Sequence, residues 1–93
     1  MVVGIVLIEL HIPGSTSLKA KRSVLNRIKE RLKSRFNASV AEVDYQDLWQ
    51  RAAIGVAVVG IEKGVVENTL SHIVRVTESE TRVDVTQVQM DFY

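Results

Sequence analysis

The sequence predicts a single α+β domain in which a four-stranded antiparallel sheet is backed by two helices, in the order βαββαβ. Three observations predict it. Four extended apolar stretches are separated by two stretches whose apolar residues recur at helical spacing. Pro, Gly or polar clusters punctuate the joints between them. With 93 residues, there is room for one core and no second domain.

The first stretch, Met1–Ile12, is apolar on both sides for half its length. Val2, Val6, Ile8, Leu10 and Ile12 share one face, and Val3, Ile5, Leu7, Glu9 and His11 the other. Such a strand belongs in the middle of a sheet. It lacks a basic leader, carries Glu9 and His11, and falls short of the ~20 residues a bilayer span needs, so it reads as neither a targeting nor a membrane segment. Pro13-Gly14 breaks it, and Ser17 is the expected helix N-cap. The first helix is expected from Leu18 to Phe36, with Leu18, Leu25, Ile28, Leu32 and Phe36 as its apolar stripe.

Asn37 stops that helix, Ala38–Val43 reads as the second strand, and Asp44–Arg51 as a loop or a single helical turn. Ala52–Ile61 is the third strand, with Ile54, Val56 and Val58 on one face and the small residues Ala53, Gly55 and Ala57, then Val59, on the other. The chain turns at Gly60–Gly64, and Val66, Leu70, Ile73 and Thr77 mark the second helix. In Arg82–Tyr93 the apolar phase shifts between Val85 and Val88, which predicts a bulge or a strand buried on both sides. Two strand–helix–strand units in so short a chain form the split βαβ, or ferredoxin-like, pattern. Right-handed crossovers place both helices on one side of the sheet. The other side is left open, with Val3, Ile5, Leu7, Ala53, Ala57 and Val59 on it. A second copy of the chain is the expected cover.

Composition narrows the chemistry. There is no cysteine, which removes disulfides, thiolate metal sites and a cysteine nucleophile, and fits a cytoplasmic setting. The net charge of +1 hides an asymmetry. Between Pro13 and Phe36 stand Lys19, Lys21, Arg22, Arg27, Lys29, Arg31, Lys33 and Arg35 against the single acid Glu30, a net of +7 that leaves −6 elsewhere. On a helical wheel Lys19, Arg22, Lys29 and Lys33 flank one side of the stripe, and Arg27, Arg31 and Arg35 the other. Lys21 falls inside it. Like charges four residues apart cost about 0.2–0.5 kcal/mol per pair, and cations in the first turn oppose the helix dipole. A polyanion would offset both, so these eight residues form the candidate nucleic-acid surface. The bland alternative is a solvated helix face.

Two other groups stand out. In the 44–51 loop, Asp47, Trp49 and Arg51 form a candidate partner site; the alternative, preferred on the sequence, is that Trp49 caps the core while Asp47 pairs with Arg51. Glu9, His11, Glu42 and Asp44 could converge for metal binding or proton transfer, but their spacing does not demand it and polar strand ends explain them. No phosphate-binding glycine loop, nucleophile elbow or HExxH motif occurs. The sequence therefore reads as non-enzymatic, with no cofactor, metal or small-molecule substrate inferred. The first and third strands hold no aromatic residue, so base stacking on the sheet is not expected, and RNA contact should run through phosphates.

Ser17-Leu18-Lys19-Ala20-Lys21-Arg22 resembles the SLKxKR stretch of the small bacterial YlxP-like family. Phe36–Val43 followed by Gln46-Asp47-Leu48-Trp49-Gln50-Arg51-Ala52 is similar to that family's second motif. The resemblance covers essentially the whole chain. It implies a ferredoxin-like fold and supplies no activity or catalytic residue. It also implies genes near those for translation initiation and ribosome maturation, which makes ribosomal RNA or the ribosome the expected partner.

Overall fold

The computed structural model describes residues 1–93. Strand β1 spans Val2–His11, helix α1 Leu18–Arg35, β2 Ser39–Asp44, β3 Arg51–Gly60, helix α2 Lys63–Glu78 and β4 Asp84–Phe92. The strands lie in the order β2-β3-β1-β4, every neighbouring pair antiparallel, so β1 is central. This is the ferredoxin-like α+β arrangement that the periodicities predict. Phe36, expected as the last helical residue, is instead the extended C-cap, its amide still bonded to the Leu32 carbonyl at 2.9 Å. No helix is long and apolar enough to cross a membrane.

One face of the sheet holds the core. Val6, Ile8 and Leu10 of β1, with Ile54, Val56 and Val58 of β3, are buried against Leu25, Ile28 and Leu32 of α1 and Val66, Leu70 and Ile73 of α2. Both helices therefore cover the same face. Ser17 caps α1, its hydroxyl accepting from the Ala20 amide at 3.0 Å. At the other end of the sheet α2 rides close on β1. A Cβ at Gly4 would overlap Val66 Cγ1 and stand 2.9 Å from Leu70 Cδ1, so only a bare backbone admits α2 here.

Two bulges adjust the edges. On β4, Glu9 pairs with Gln87 and Leu10 with Val85, leaving Thr86 as the extra residue, which accounts for the phase shift in that strand. On β2, Glu42 pairs with Ile54 and Asp44 with Ala53, so Val43 is extra, and its side chain leans over Gly55 on the helix-free face.

That face carries the row Val3, Ile5, Leu7 on β1, all half-buried, and Gly55, Ala57 and Val59 on β3, the last 62% exposed. Ala53 lies on the same face but is only 1% exposed, so the expectation that it awaits a cover is corrected: the chain already buries it.

Candidate nucleic-acid interface and the corner beside it

An 18-residue helix gives the cationic side chains their placement. Lys19, Arg22, Arg27, Lys33 and Arg35 are exposed, and Lys29 and Arg31 half-buried, along the two flanks of the buried stripe. The outward crest between the flanks is Ser23, Asn26, Glu30 and Ser34. The cations thus form two rails along α1 rather than one crowded row. Of these seven, one has an acid within salt-bridge reach: Arg27 stands 3.8 Å from Glu80, a long contact with the guanidinium half-exposed. The other six have no acid within salt-bridge distance. The first turn of α1 contains no acidic residue.

Lys21 is different, and its place among the nucleic-acid-binding residues is corrected. It is 1% exposed, among the most deeply buried side chains of the chain. Its ammonium lies 2.8 Å from the Tyr45 carbonyl, 3.1 Å from that of Arg51, 3.4 Å from that of Gln46, and 3.1 Å from Glu42 Oε2. Three protons face four oxygens, so Glu42 Oε2 is ion-paired without a directed hydrogen bond of its own. A buried ammonium needs this many partners, because dehydrating it costs several kcal/mol. The sequence places Lys21 inside the apolar stripe; the reason is that it is a structural cation around which the chain from Tyr45 to Arg51 is folded.

That clamp organises the corner. Tyr45 holds φ at 59°, a left-handed conformation uncommon for a residue with a Cβ, while its carbonyl meets Lys21. Asp44 Oδ1 accepts from the Tyr45 amide at 2.7 Å, and the Tyr45 hydroxyl donates to Glu9 Oε1 at 2.9 Å. Arg51 donates to the same Glu9 oxygen at 3.3 Å and lies 4.1 Å over the Tyr45 ring. Gln50 spans back to the β1–α1 turn, donating to the Ser15 and Pro13 carbonyls at 3.1 and 3.3 Å. The Tyr45 hydroxyl is raised above its ordinary value near 10, chiefly because Glu9 accepts its proton in a hydrogen bond.

Trp49 does not cap the core. It is 54% exposed, with Leu48 at 45% and Asp47 also exposed beside it. Arg51 pairs with Glu9 rather than with Asp47. The sheet register decides this: Arg51 sits opposite His11, diagonal to Glu9 on the same face. Glu42, by contrast, pairs with Ile54 on the core face, away from Glu9, so the two carboxylates do not meet. His11 lies 3.8 Å from Asp84, its register partner. No three His, Asp or Glu side chains are grouped to hold a metal ion.

A family model described as "Protein of unknown function (DUF503)" matches residues 3–90. The chain belongs to this family. This DUF503 chain is 33% identical over 91 residues to "Uncharacterized protein YlxP" of Bacillus subtilis (strain 168), spanning 98% of this chain and 99% of the other. Among solved structures, the de novo designed protein Foldit4 is similar at a TM-score of 0.55 and 14% identity, covering 100% of this chain and 97% of its own. The de novo designed protein Ferredog-Diesel is similar at 0.50 and 13%, covering 96% and 83%. Those two likenesses show the fold alone. For this DUF503 member the structure also joins the two motifs that carry the resemblance. Lys21 of the first is bonded to carbonyls of Gln46 and Arg51 in the second, and Gln50 of the second holds the turn that leads into the first. Sequence reasoning marks both motifs; a contact across 25–30 residues leaves no trace in local periodicity.

Proposed function

We propose that the chain is a cytoplasmic, non-enzymatic factor that binds the phosphate backbone of RNA, ribosomal RNA foremost, through the two rails of α1. One observation carries this reading: seven cations flank the helix, and only Glu80, 3.8 Å from Arg27, comes within salt-bridge distance of any of them. The helix's own acid, Glu30, lies on the crest between the rails without pairing. A protein that needed these charges for solubility alone would lose little by pairing them; leaving six unpaired on one element favours a multivalent anion. Lys side chains serve as point charges and Arg forks onto phosphate oxygens, so the two rails suit a backbone that runs along the helix. Bases are not the target, because the helix-free face offers no aromatic platform on β1 or β3. The preference for ribosomal RNA rests on the family resemblance.

A salt titration tests it. Affinity for a ribosomal RNA fragment, measured by filter binding at rising potassium chloride, is expected to fall with a log–log slope of roughly −3 or steeper, on about −0.7 to −0.9 for each phosphate neutralised. The variant Lys19→Glu/Arg22→Glu/Lys29→Glu/Lys33→Glu should lose affinity by roughly a hundredfold at low salt while keeping its circular dichroism spectrum. Lys21 is left untouched, since charge reversal there would unfold the corner and mimic a binding defect. Binding that ignores salt, or survives the four substitutions, would retire the reading.

A further inference from the structure

The helix-free sheet face has a relief that points to its own occupant. On β1, Val3, Ile5 and Leu7 form a ridge of large side chains. Beside it on β3, the register sets Ala57 directly next to Ile5 and Gly55 next to Leu7. Ile5 and Leu7 therefore each have a small residue at the same level on the adjoining strand, while Val3 stands beside Val59 at the end of the ridge. The result is a hollow of about 420 Å³ between Ile5 and Leu7 on one side and Val43 on the other, floored by Gly55 and Ala57. Over these two levels a ridge runs alongside a groove, a relief that fits a copy of itself.

We infer that two copies pair through this face about a two-fold axis parallel to the strands, lying midway between β1 and β3. That operation sets the partner's β1 over β3 at unchanged level, so Ile5 of each copy enters the groove above Ala57 of the other, twice. It also sets Asp91 and Gln89, the register partners of Ile5 and Leu7 on β4, over Ser39 and Ala41 on β2 of the other copy, where the serine hydroxyl meets a carboxylate and not a like charge. Of the other ionisable groups on the face, Glu9 pairs with Arg51 and Asp84 stands 3.8 Å from His11 within one chain. Asp44, level with Ala53 and Glu9, comes under Gln87 of the other copy. Nothing of one sign repels its own image at the centre.

The area is sufficient. Four strands about 4.8 Å apart and up to ten residues long, at about 3.3 Å each, present roughly 500–600 Å² per copy. Two copies would bury roughly 1,000–1,200 Å², at the threshold of a specific interface. Facing sheets pack about 10 Å apart with strands within about 30° of one another, which keeps the central levels aligned. An unrelated protein would have to supply the same relief in reverse; a second copy supplies it by symmetry.

Sedimentation equilibrium on the whole chain tests the pairing, reading 10.4 kDa for one copy and twice that for two. Wild type should associate. Ile5→Ala, which lowers the ridge, and Ala57→Ile, which fills the groove, should each weaken association roughly ten- to a hundredfold, the span of a misfitted apolar contact. The exchange Ile5→Ala/Ala57→Ile should recover most of the loss, because ridge and groove trade strands at the same level. Should a variant fail to fold, wild type alone still decides: in the presence of a soluble paramagnetic chelate, Ile5 and Leu7 methyl signals should be shielded and Val65, exposed on α2, broadened. A wild type that stays single at millimolar concentration overturns the inference, as do single variants that associate unchanged, an Ala57→Ile that associates more tightly, an exchange that restores nothing, or Ile5 methyls bleached like Val65. A face that instead takes up an unrelated protein or a vesicle while the chain remains single would overturn it too. None of these readouts depends on RNA.

Discussion

Lys21 shows how much one residue can be misjudged by type. A lysine in a basic helix invites a surface role, yet this one replaces solvent with three carbonyls and a carboxylate at 2.8–3.4 Å. Removing one partner from a buried pair costs about 3–5 kcal/mol, since the other is stranded. Lys21→Met is therefore expected to destabilise the fold by about that amount in urea unfolding, with Lys21→Met/Glu42→Leu recovering part of it. A cost below about 1 kcal/mol would show that the ammonium does not order the corner. Tyr45 beside it makes a second, independent statement. Its hydrogen bond to Glu9 favours the neutral phenol, so the folded value lies above the ordinary one near 10. With the folded value raised, the stabilisation is complete below pH about 10 and is lost as pH climbs through the folded value. Ultraviolet difference titration should find Tyr45 ionising later than a free tyrosine, and Glu9→Ala should bring it back. An unmoved titration in that variant would mean that Glu9 is not the cause.

At the scale of elements, what was legible follows from what is local. Both helices, all four strands and the β4 bulge can be read from apolar spacing, because each reflects which face of its own segment is buried. The same spacing marks Lys21 as facing inward without naming its partners, which lie 21–30 residues away. Pairing of Arg51 with Glu9 instead of Asp47, and the exposure of Trp49, depend on strand register and on the Lys21 clamp, neither of which is a property of the loop itself. The split of Glu9 from Glu42 across the sheet is likewise a matter of register. Helix α2 supplies the test at this scale. It approaches β1 so closely at Gly4 that one added methyl meets both Val66 and Leu70. Gly4→Ala should cost about 1–3 kcal/mol despite the better strand statistics of alanine, and Gly4→Ala/Val66→Ala should recover part of that loss. Thermal or urea unfolding of the three proteins checks it; an unaffected Gly4→Ala would show that α2 can lift off freely.

For the molecule as a whole, the sheet acts as a partition. The hydrophobic core and the unpaired cations of α1 lie on one side of it, and the unclothed apolar relief on the other. The separation means that a phosphate chain on α1 and a second copy on the opposite face do not compete for the same atoms. It also explains why charge alone is a poor guide to this chain: the net of +1 averages a cationic element against acids spread over the remaining ones.

The partition has a geometric corollary. Back-to-back union of two such chains turns their cationic rails away from one another, onto opposite outer surfaces roughly 30 Å apart, the thickness of two sheets and the helices on them. No single short strand could lie on both. A doubled molecule of this shape would work as a strut with a grip at each end, holding two distant stretches of one folded nucleic acid in fixed relation rather than clasping either more firmly.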